Sequence, residues 1–358
     1  MSFHLLACIS SHGYGHFAMT APVLNELNKQ ASISLTVRCV LPEDLIRSRI
    51  GGDFNIVAES SDFGMVMNSS LDVDLEAAAD AYQKLHANLP QAITEEQKKI
   101  SALKPNLIIA NIPYVTVAAA FQANIPVIAY CSLNWAEIFN SYFKDKLPEA
   151  EKILAEINNA YNLAEYFVCP EPSMAMPGLK NIKHIGPIAK IATSHRKILN
   201  EKLSLTEKDK LVLITPGGVA TPVPLNDWPV IPGVTWIAAW PYETTRQDII
   251  TTGQIELLFS DLLASCDAVI TKPGYGTVTE TVCNGIPVLY VLRGDWAEEP
   301  FLEAWWHNHG AVIKISREEF FAGNIQNNLE KLWKYPQVKP VAASGLKEFL
   351  AIVQSYIH

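Results

Sequence analysis

Short apolar runs alternate with longer amphipathic stretches along the chain. In its first half, Phe3–Ile9, Ile33–Val40, Phe54–Ala58, Leu107–Asn111 and Val127–Tyr130 are nearly continuous in apolar residues, as strands covered on both faces are. Helical spacing between them predicts His16–Lys29, a long segment Leu75–Leu103, Tyr114–Ala123, and Trp135–Leu163 broken at Pro148. Around Tyr166–Ile191 the texture changes. Pro170, Pro172, Pro177 and Pro187, with Gly178 and Gly186, suit a crossing between domains better than a packed element. A polar stretch, Ser194–Lys210, follows. Strand-like runs then resume at Leu211–Thr215, Thr235–Ala239, Ala268–Thr271, Val288–Leu292 and Ala311–Ile315, with helical segments Glu256–Cys266, Gly276–Asn284 and Ala297–Asn308 between them. The alternation predicts an α/β chain of two doubly wound, Rossmann-like halves with parallel sheets, residues 1–190 and 191–340. In the remaining segment, 341–358, a helix over Ser344–Ile357 could pack on either half.

Composition narrows the function. With 358 residues, 49% hydrophobic and 18% charged, the chain has enough apolar material for two packed cores and too little charge for disorder. A net charge of −9 argues against a surface built to neutralise nucleic-acid phosphates. The most apolar window, Val115–Leu133, is interrupted by Gln122, Asn124 and Pro126, so no transmembrane segment is expected. The N-terminus lacks the basic region of a secretory leader. Six scattered cysteines without a CxxC pair read as reduced thiols, and a cytoplasmic location is expected.

Two glycine turns carry the chemistry. The first, Ser10-Ser11-His12-Gly13-Tyr14-Gly15-His16, joins the first strand to a helix, where doubly wound sheets bind ligands. Glycine lets the backbone approach a ligand, and the helix N-terminus offers free amides. Gly13-x-Gly15-x-x-Ala18, with Glu43 further on, literally satisfies a dinucleotide fingerprint, which leaves an NAD-linked enzyme open. Two histidines suit a pyrophosphate cradle poorly and suit general base work well, His16 first and His12 second. The bland alternative is a histidine that caps the turn.

The second turn, Thr271-Lys272-Pro273-Gly274-Tyr275-Gly276-Thr277, reads as an anion site. Gly274 and Gly276 bare the backbone, Thr277 adds a hydroxyl, and helix amides would hold a diphosphate with Lys272 as the nearest formal charge. Glu280, one helical turn later, could accept from a ribose diol; Thr277 and Glu280 also fit a capping box. Glu298 and Glu299 could hydrogen-bond sugar hydroxyls, or could simply be the acidic start of a helix.

Together these motifs resemble GT-B glycosyltransferases, the group of the UDP-glycosyltransferases and the N-acetylglucosaminyltransferase of peptidoglycan synthesis. Gly15-His16 is similar to the family's Gly-His turn, whose histidine often activates the acceptor. Gly274-x-Gly276-Thr277-x-x-Glu280, Gly285-Ile286-Pro287 and Glu298-Glu299 resemble its donor-site run, and Thr215-Pro216-Gly217-Gly218 resembles the glycine turn that opens the donor domain, which assigns Gly218 to the diphosphate. Lys272–Glu280 with Glu298-Glu299-Pro300-Phe301 is similar to the glycosyltransferase-like N-terminal part of plant arabinokinases; no kinase domain follows residue 358, so that likeness is expected to stop there. Met19 stands where related sequences often have arginine, and Glu298-Glu299 where many carry Asp-Gln.

The resemblance implies two Rossmann-like domains facing a cleft and a metal-independent transfer of a sugar, most simply from a UDP- or dTDP-sugar. The acceptor would be a hydroxyl or amine on a small molecule, glycan or lipid-linked compound. It implies no cofactor. Asp72-Val73-Asp74 matches the metal-binding DxD of the other large glycosyltransferase fold, but it leads into a helix and reads as an acidic first turn. The alternatives are a nucleotide-sugar 2-epimerase and a non-catalytic module that binds a nucleotide sugar. Trp135, Phe139, Tyr142 and Phe143 form an aromatic stretch that could line an acceptor groove or belong to the core.

Overall fold

The computed structural model describes residues 3–30, 32–69, 71–217 and 223–357. Among these the apolar runs build two separate sheets, every paired strand parallel. The first contains β1 (Phe3–Ile9), β2 (Ile33–Arg38), β3 (Asn55–Val57), β4 (Leu107–Asn111), β5 (Val127–Tyr130), β6 (Tyr166–Pro170) and β7 (Ile182–Ile185), in the order β3-β2-β1-β4-β5-β6-β7. The second contains β8 (Lys210–Thr215), β9 (Val234–Ala238), β10 (Ile249–Thr251), β11 (Ala268–Thr271), β12 (Val288–Tyr290) and β13 (Val312–Lys314), in the order β10-β9-β8-β11-β12-β13. Both orders reverse beside their first strand, at β1/β4 and β8/β11. A crevice opens at each reversal, outside the carboxyl ends of the strands.

Helices cover the sheet faces. In the first half they are α1 (Tyr14–Asn28), α2 (Glu43–Arg47), α3 (Leu75–Ala87), α4 (Leu89–Leu103), α5 (Tyr114–Gln122), α6 (Trp135–Phe143) and α7 (Ala150–Tyr161). Then come α8 (Arg196–Lys202), α9 (Phe259–Ala264), α10 (Tyr275–Asn284), α11 (Glu299–His309), α12 (Arg317–Ala322), α13 (Gln326–Trp333) and α14 (Gly345–Gln354). The period of two is visible in β8: Val212 and Ile214 enter one apolar layer, Leu211 and Leu213 the opposite one.

Several sequence expectations need correction. Tyr166–Ile191 is not mainly a crossing, because it supplies β6 and β7. Pro170 is tolerated as the last residue of β6, whose Phe167–Cys169 are buried, and β7 is an edge strand whose Lys183 and His184 are exposed, so β7 alone of the two lacks the buried-strand pattern. The long helix over Leu75–Leu103 is two helices meeting at Asn88, with Pro90 in the first turn of α4. The polar stretch Ser194–Lys210 holds α8, and the three-residue edge strand β10 had no readable signal.

The halves interlock. α14 returns to the first half, where Phe349, Ile352 and Val353 join its core and the Phe349 ring lies 4.6 Å from that of Tyr130. The outgoing and returning segments touch: Gly345 N–H donates to the Pro187 carbonyl at 3.1 Å, and a Cβ on Gly345 would fall 1.9 Å from the Gly186 carbonyl oxygen. Leu71 of the first half is buried in a core of the second, and Arg317 of α12 holds Asp72 at 2.9 Å. Asp74 caps α3 by accepting from Ala77 N–H at 3.0 Å. The two carboxylates of the DxD are thus committed separately, to an ion pair and a helix cap. Among the described residues, no helix is long and apolar enough to cross a membrane.

Candidate active site

Each glycine turn sits at a strand-order reversal, and the interlocked halves bring the two turns face to face. α1 follows Gly13, whose φ of 149° is a backbone that side chains rarely adopt, so the turn requires glycine there. α10 follows Gly274. Among the described residues, no side chain caps either helix. Their first-turn amides are therefore left for water or a ligand. Both ends open on one cleft, lined by His12–His16 and Cys131–Leu133 from the first half and by Lys272–Tyr275, Arg293, Trp296 and Glu298 from the second. A Cβ added at Gly13, Gly15 or Gly276 would meet nothing within 4 Å, so the space above both turns is clear.

Helix starts differ slightly from expectation. α1 begins at Tyr14, two residues before His16, and α10 begins at Tyr275, so Thr277 is its third residue. The Thr277–Glu280 capping box consequently does not form.

His16 is 6% exposed, and its Nδ1 lies 2.8 Å from Asn111 Oδ1 at the end of β4. Burial lowers its pKa, while the Asn111 bond and the fields of Asp62 and Glu298 oppose that shift. His12 lies parallel to Trp296 with centroids 5.4 Å apart, and edge-on to Trp135 at 5.0 Å. Its Nδ1 meets both the carbonyl and the amide of Met65. Burial, then His16, Arg293 and Lys272, hold His12 well below the ordinary histidine range. Asp62 fixes this wall by accepting from Trp135 Nε1 at 2.8 Å and Ser11 N at 3.2 Å. Phe139 and Phe143 belong to the core, whereas Trp135 and Tyr142 back the cleft, with Tyr142 6.4 Å from Trp296.

On the second half, burial and then the neighbouring Arg293 push Lys272 down to about 7. The Arg293 guanidinium stacks over Trp296 at 4.4 Å. Glu298 reaches the cleft and accepts from Ser132 Oγ at 2.6 Å, across the two halves, and from Trp296 Nε1 at 3.2 Å. Glu299 does not line the cleft; it accepts from the amides of Arg293 and Gly294 and so shapes the loop ahead of α11. Glu280 also stays outside. Burial raises it to about 7, with Arg49 and Lys190 as the opposing charges. Gly218 lies outside the described residues.

Of the residues read from sequence, the structure gathers His12, His16, Gly274 and Glu298 in one cleft. Gly276 and Thr277 lie just along α10. Asn111, Ser132, Arg293 and Trp296 were not anticipated. Only Asn111 left a signal, a polar side chain closing the apolar run Leu107–Ala110.

No family model matches the chain. It is 22% identical over 343 residues to an L-arabinokinase of Arabidopsis thaliana, covering 94% of this chain and 32% of that one, about a third of the relative's length. Among solved structures, the calicheamicin glycosyltransferase CalG4 superposes with a TM-score of 0.65 at 13% identity, over 99% of this chain and 98% of its own. A Listeria monocytogenes structure assigned to UDP-N-acetylglucosamine 2-epimerase gives 0.54 at 14%, over 100% and 97%. Two doubly wound sheets superpose end to end on such chains. The fold is GT-B. Within the GT-B frame the cleft just described is the space between the two Rossmann-like units, with one glycine turn contributed by each.

Proposed function

We propose that the chain is a glycosyltransferase that moves a sugar from a nucleoside diphosphate sugar, of the UDP or dTDP type, to an acceptor hydroxyl or amine. The residues fall into two domains, 1–190 for the acceptor and 191–340 for the donor, with 341–358 returning to the first. The observation that carries the reading is the meeting of two uncapped helix N-termini, from opposite halves, in one cleft beside a buried histidine. The α10 amides at Gly274, Gly276 and Thr277, aided by Gly218, Lys272 and Arg293, would take the diphosphate. Glu280, further along α10, would take the ribose. Glu298 would orient the sugar, and Glu299 would hold the loop that carries Glu298.

In the transfer, an acceptor O–H or N–H gives its proton to Nε2 of His16, and its electron pair forms the bond to the anomeric carbon. The bond from that carbon to the diphosphate oxygen breaks, and the departing pair stays on the diphosphate, facing the α10 amides and Lys272. No step in this scheme calls for a divalent ion.

Gly274 provides a clean test, because its backbone is extended and a Cβ there would meet only Lys272 Nζ, at 3.7 Å. Gly274→Ala is expected to fold and keep UDP binding. Gly274→Asp places a good N-cap on α10, so it too should fold, yet its carboxylate takes the amides and repels the diphosphate. Titration calorimetry with UDP should therefore separate the two variants by about tenfold or more. Equal binding by both would remove the diphosphate from this turn.

Lys272 adds a pH signature. Below about 7 it is charged in the empty site, and a bound anion raises its pKa further. Affinity for UDP should thus fall as pH rises above 7, by about tenfold per unit at the steepest. Lys272→Met should lose that alkaline limb. Glu280 titrates in the same region in the opposite sense, and the variant leaves its limb in place.

The 2-epimerase reading keeps a place through the Listeria similarity. It needs no acceptor. Incubating UDP-sugars with the chain alone and finding the 2-epimer would favour it.

A further inference from the structure

We infer that Trp296 is a plug: in the empty chain its indole fills the cleft, and it must withdraw before a nucleoside diphosphate and an acceptor can enter. The inference rests on the reading of this cleft as the transfer site and adds how that site is kept shut.

Space is the first argument. The cleft leaves about 110 Å³ free. Sites for small organic ligands hold about 300 Å³ or more. The missing room is taken by a side chain. Trp296 belongs by sequence to the second half, on the loop between β12 and α11, yet it is 4% exposed and joins the core of the first half, beside Tyr142. His12 lies parallel to the indole at 5.4 Å, and the Arg293 guanidinium lies over it at 4.4 Å. The indole therefore sits directly against the first glycine turn.

The loop is the part built to move. The halves themselves are tied by α14, by Arg317 on Asp72, and by Tyr275, whose hydroxyl accepts from Ile188 N at 2.9 Å and donates to the Glu171 carbonyl at 3.2 Å. Swinging the halves apart would break all of these at once. Trp296 is latched through one carboxylate: its Nε1 donates to Glu298 Oε2 at 3.2 Å, and Glu298 Oε1 accepts from Ser132 Oγ of the first half at 2.6 Å. Gly294, two residues before the indole, has a φ of 100° and supplies a pivot. Sugar hydroxyls that take Glu298 would release the latch, so donor entry and withdrawal of the plug are coupled. A site open only part of the time binds with its affinity reduced by the open fraction. Removing a plug thus tightens UDP binding, whereas removing a wall of the site weakens it.

The test uses the full chain and two readouts. The first needs no nucleotide. Cys131 lines the cleft and is 1% exposed, so its modification by methyl methanethiosulfonate, located by peptide mass spectrometry, reports opening. Cys8 and Cys283, buried in the first and second halves outside the cleft lining, report the fold. Trp296→Ala should label Cys131 about tenfold faster than wild type or more, with Cys8 and Cys283 unchanged, and Trp296→Phe should fall between. If the two control thiols also accelerate in Trp296→Ala, Trp296→Phe decides. The second readout is calorimetry with UDP, which Trp296→Ala should bind about tenfold more tightly than wild type. Unchanged Cys131 labelling in the deciding variant overturns the plug, as does UDP that wild type binds and Trp296→Ala binds no more tightly. Failure of the transferase reading looks different: fast Cys131 labelling once the indole is gone, and no UDP binding by any variant.

Discussion

Replacing His16 with alanine is expected to slow sugar transfer by about 10²–10⁴-fold while UDP binding is essentially kept. The side chain is buried at the mouth of α1 and lines the cleft that the turn proposed for the diphosphate also lines, so it can meet an acceptor there without supporting the donor. His12→Phe is the matching control. His12 is enclosed by Trp296 and Trp135, and a phenyl ring preserves that stacking while removing both nitrogens. Initial rates of UDP release in the presence of acceptor should fall steeply for His16→Ala and only slightly for His12→Phe. If His12→Phe is the dead variant, the roles are exchanged. If both variants turn over like wild type, neither histidine is the base; if wild type itself releases no UDP, the chain is a nucleotide-sugar-binding module and no transferase.

Much of this arrangement was legible in the chain. Strands buried on both faces announce themselves as apolar runs, which is why β1, β2, β4, β5, β8, β11 and β12 fell close to their expected places. A glycine turn between such a strand and a helix is equally local information, so Gly13–His16 and Gly274–Thr277 could be read directly. Edge strands were harder, because β7 and β10 need bury only part of their surface and therefore lose the pattern.

Contacts far apart in sequence were not legible at all. Asn111 meets His16 across 95 residues, and Ser132 meets Glu298 across 166. Nothing local distinguishes Glu298, which reaches the cleft, from Glu299, which turns back to the amides of Arg293 and Gly294. Leu71 entering the second half's core is a property of how the halves dock, and the residues around it look like any polar loop. The DxD shows the same limit in reverse: a familiar spacing whose two carboxylates serve an ion pair and a helix cap.

The largest expected loss of stability lies beside the site, at Glu96→Ala. Arg38, the last residue of β2, and Glu96 of α4 are 2% and 4% exposed and form a two-pronged pair, with nitrogen–oxygen distances of 2.5 and 2.8 Å. Thr116 Oγ1 donates to the same carboxylate at 2.5 Å and is bonded in turn to Ser61 Oγ at 2.7 Å. Ser61 precedes Asp62, the residue that holds Trp135 against the two histidines, so the pair braces the wall of the cleft through Thr116 and Ser61. Removing the carboxylate strands a buried guanidinium, whose remaining partner Glu59 is half exposed at 3.2 Å. Breaking such a pair typically costs about 3–5 kcal/mol, whereas the solvent-facing contact to Glu59 is worth about 1 kcal/mol or less. Urea denaturation should accordingly show a large drop in midpoint for Glu96→Ala and a small one for Glu59→Ala. The double replacement Arg38→Met with Glu96→Leu should recover most of the loss, since it removes both charges and keeps the volume filled. A Glu96→Ala midpoint no lower than that of Glu59→Ala would mean that water reaches Arg38, and that the wall beside His16 is braced by packing alone.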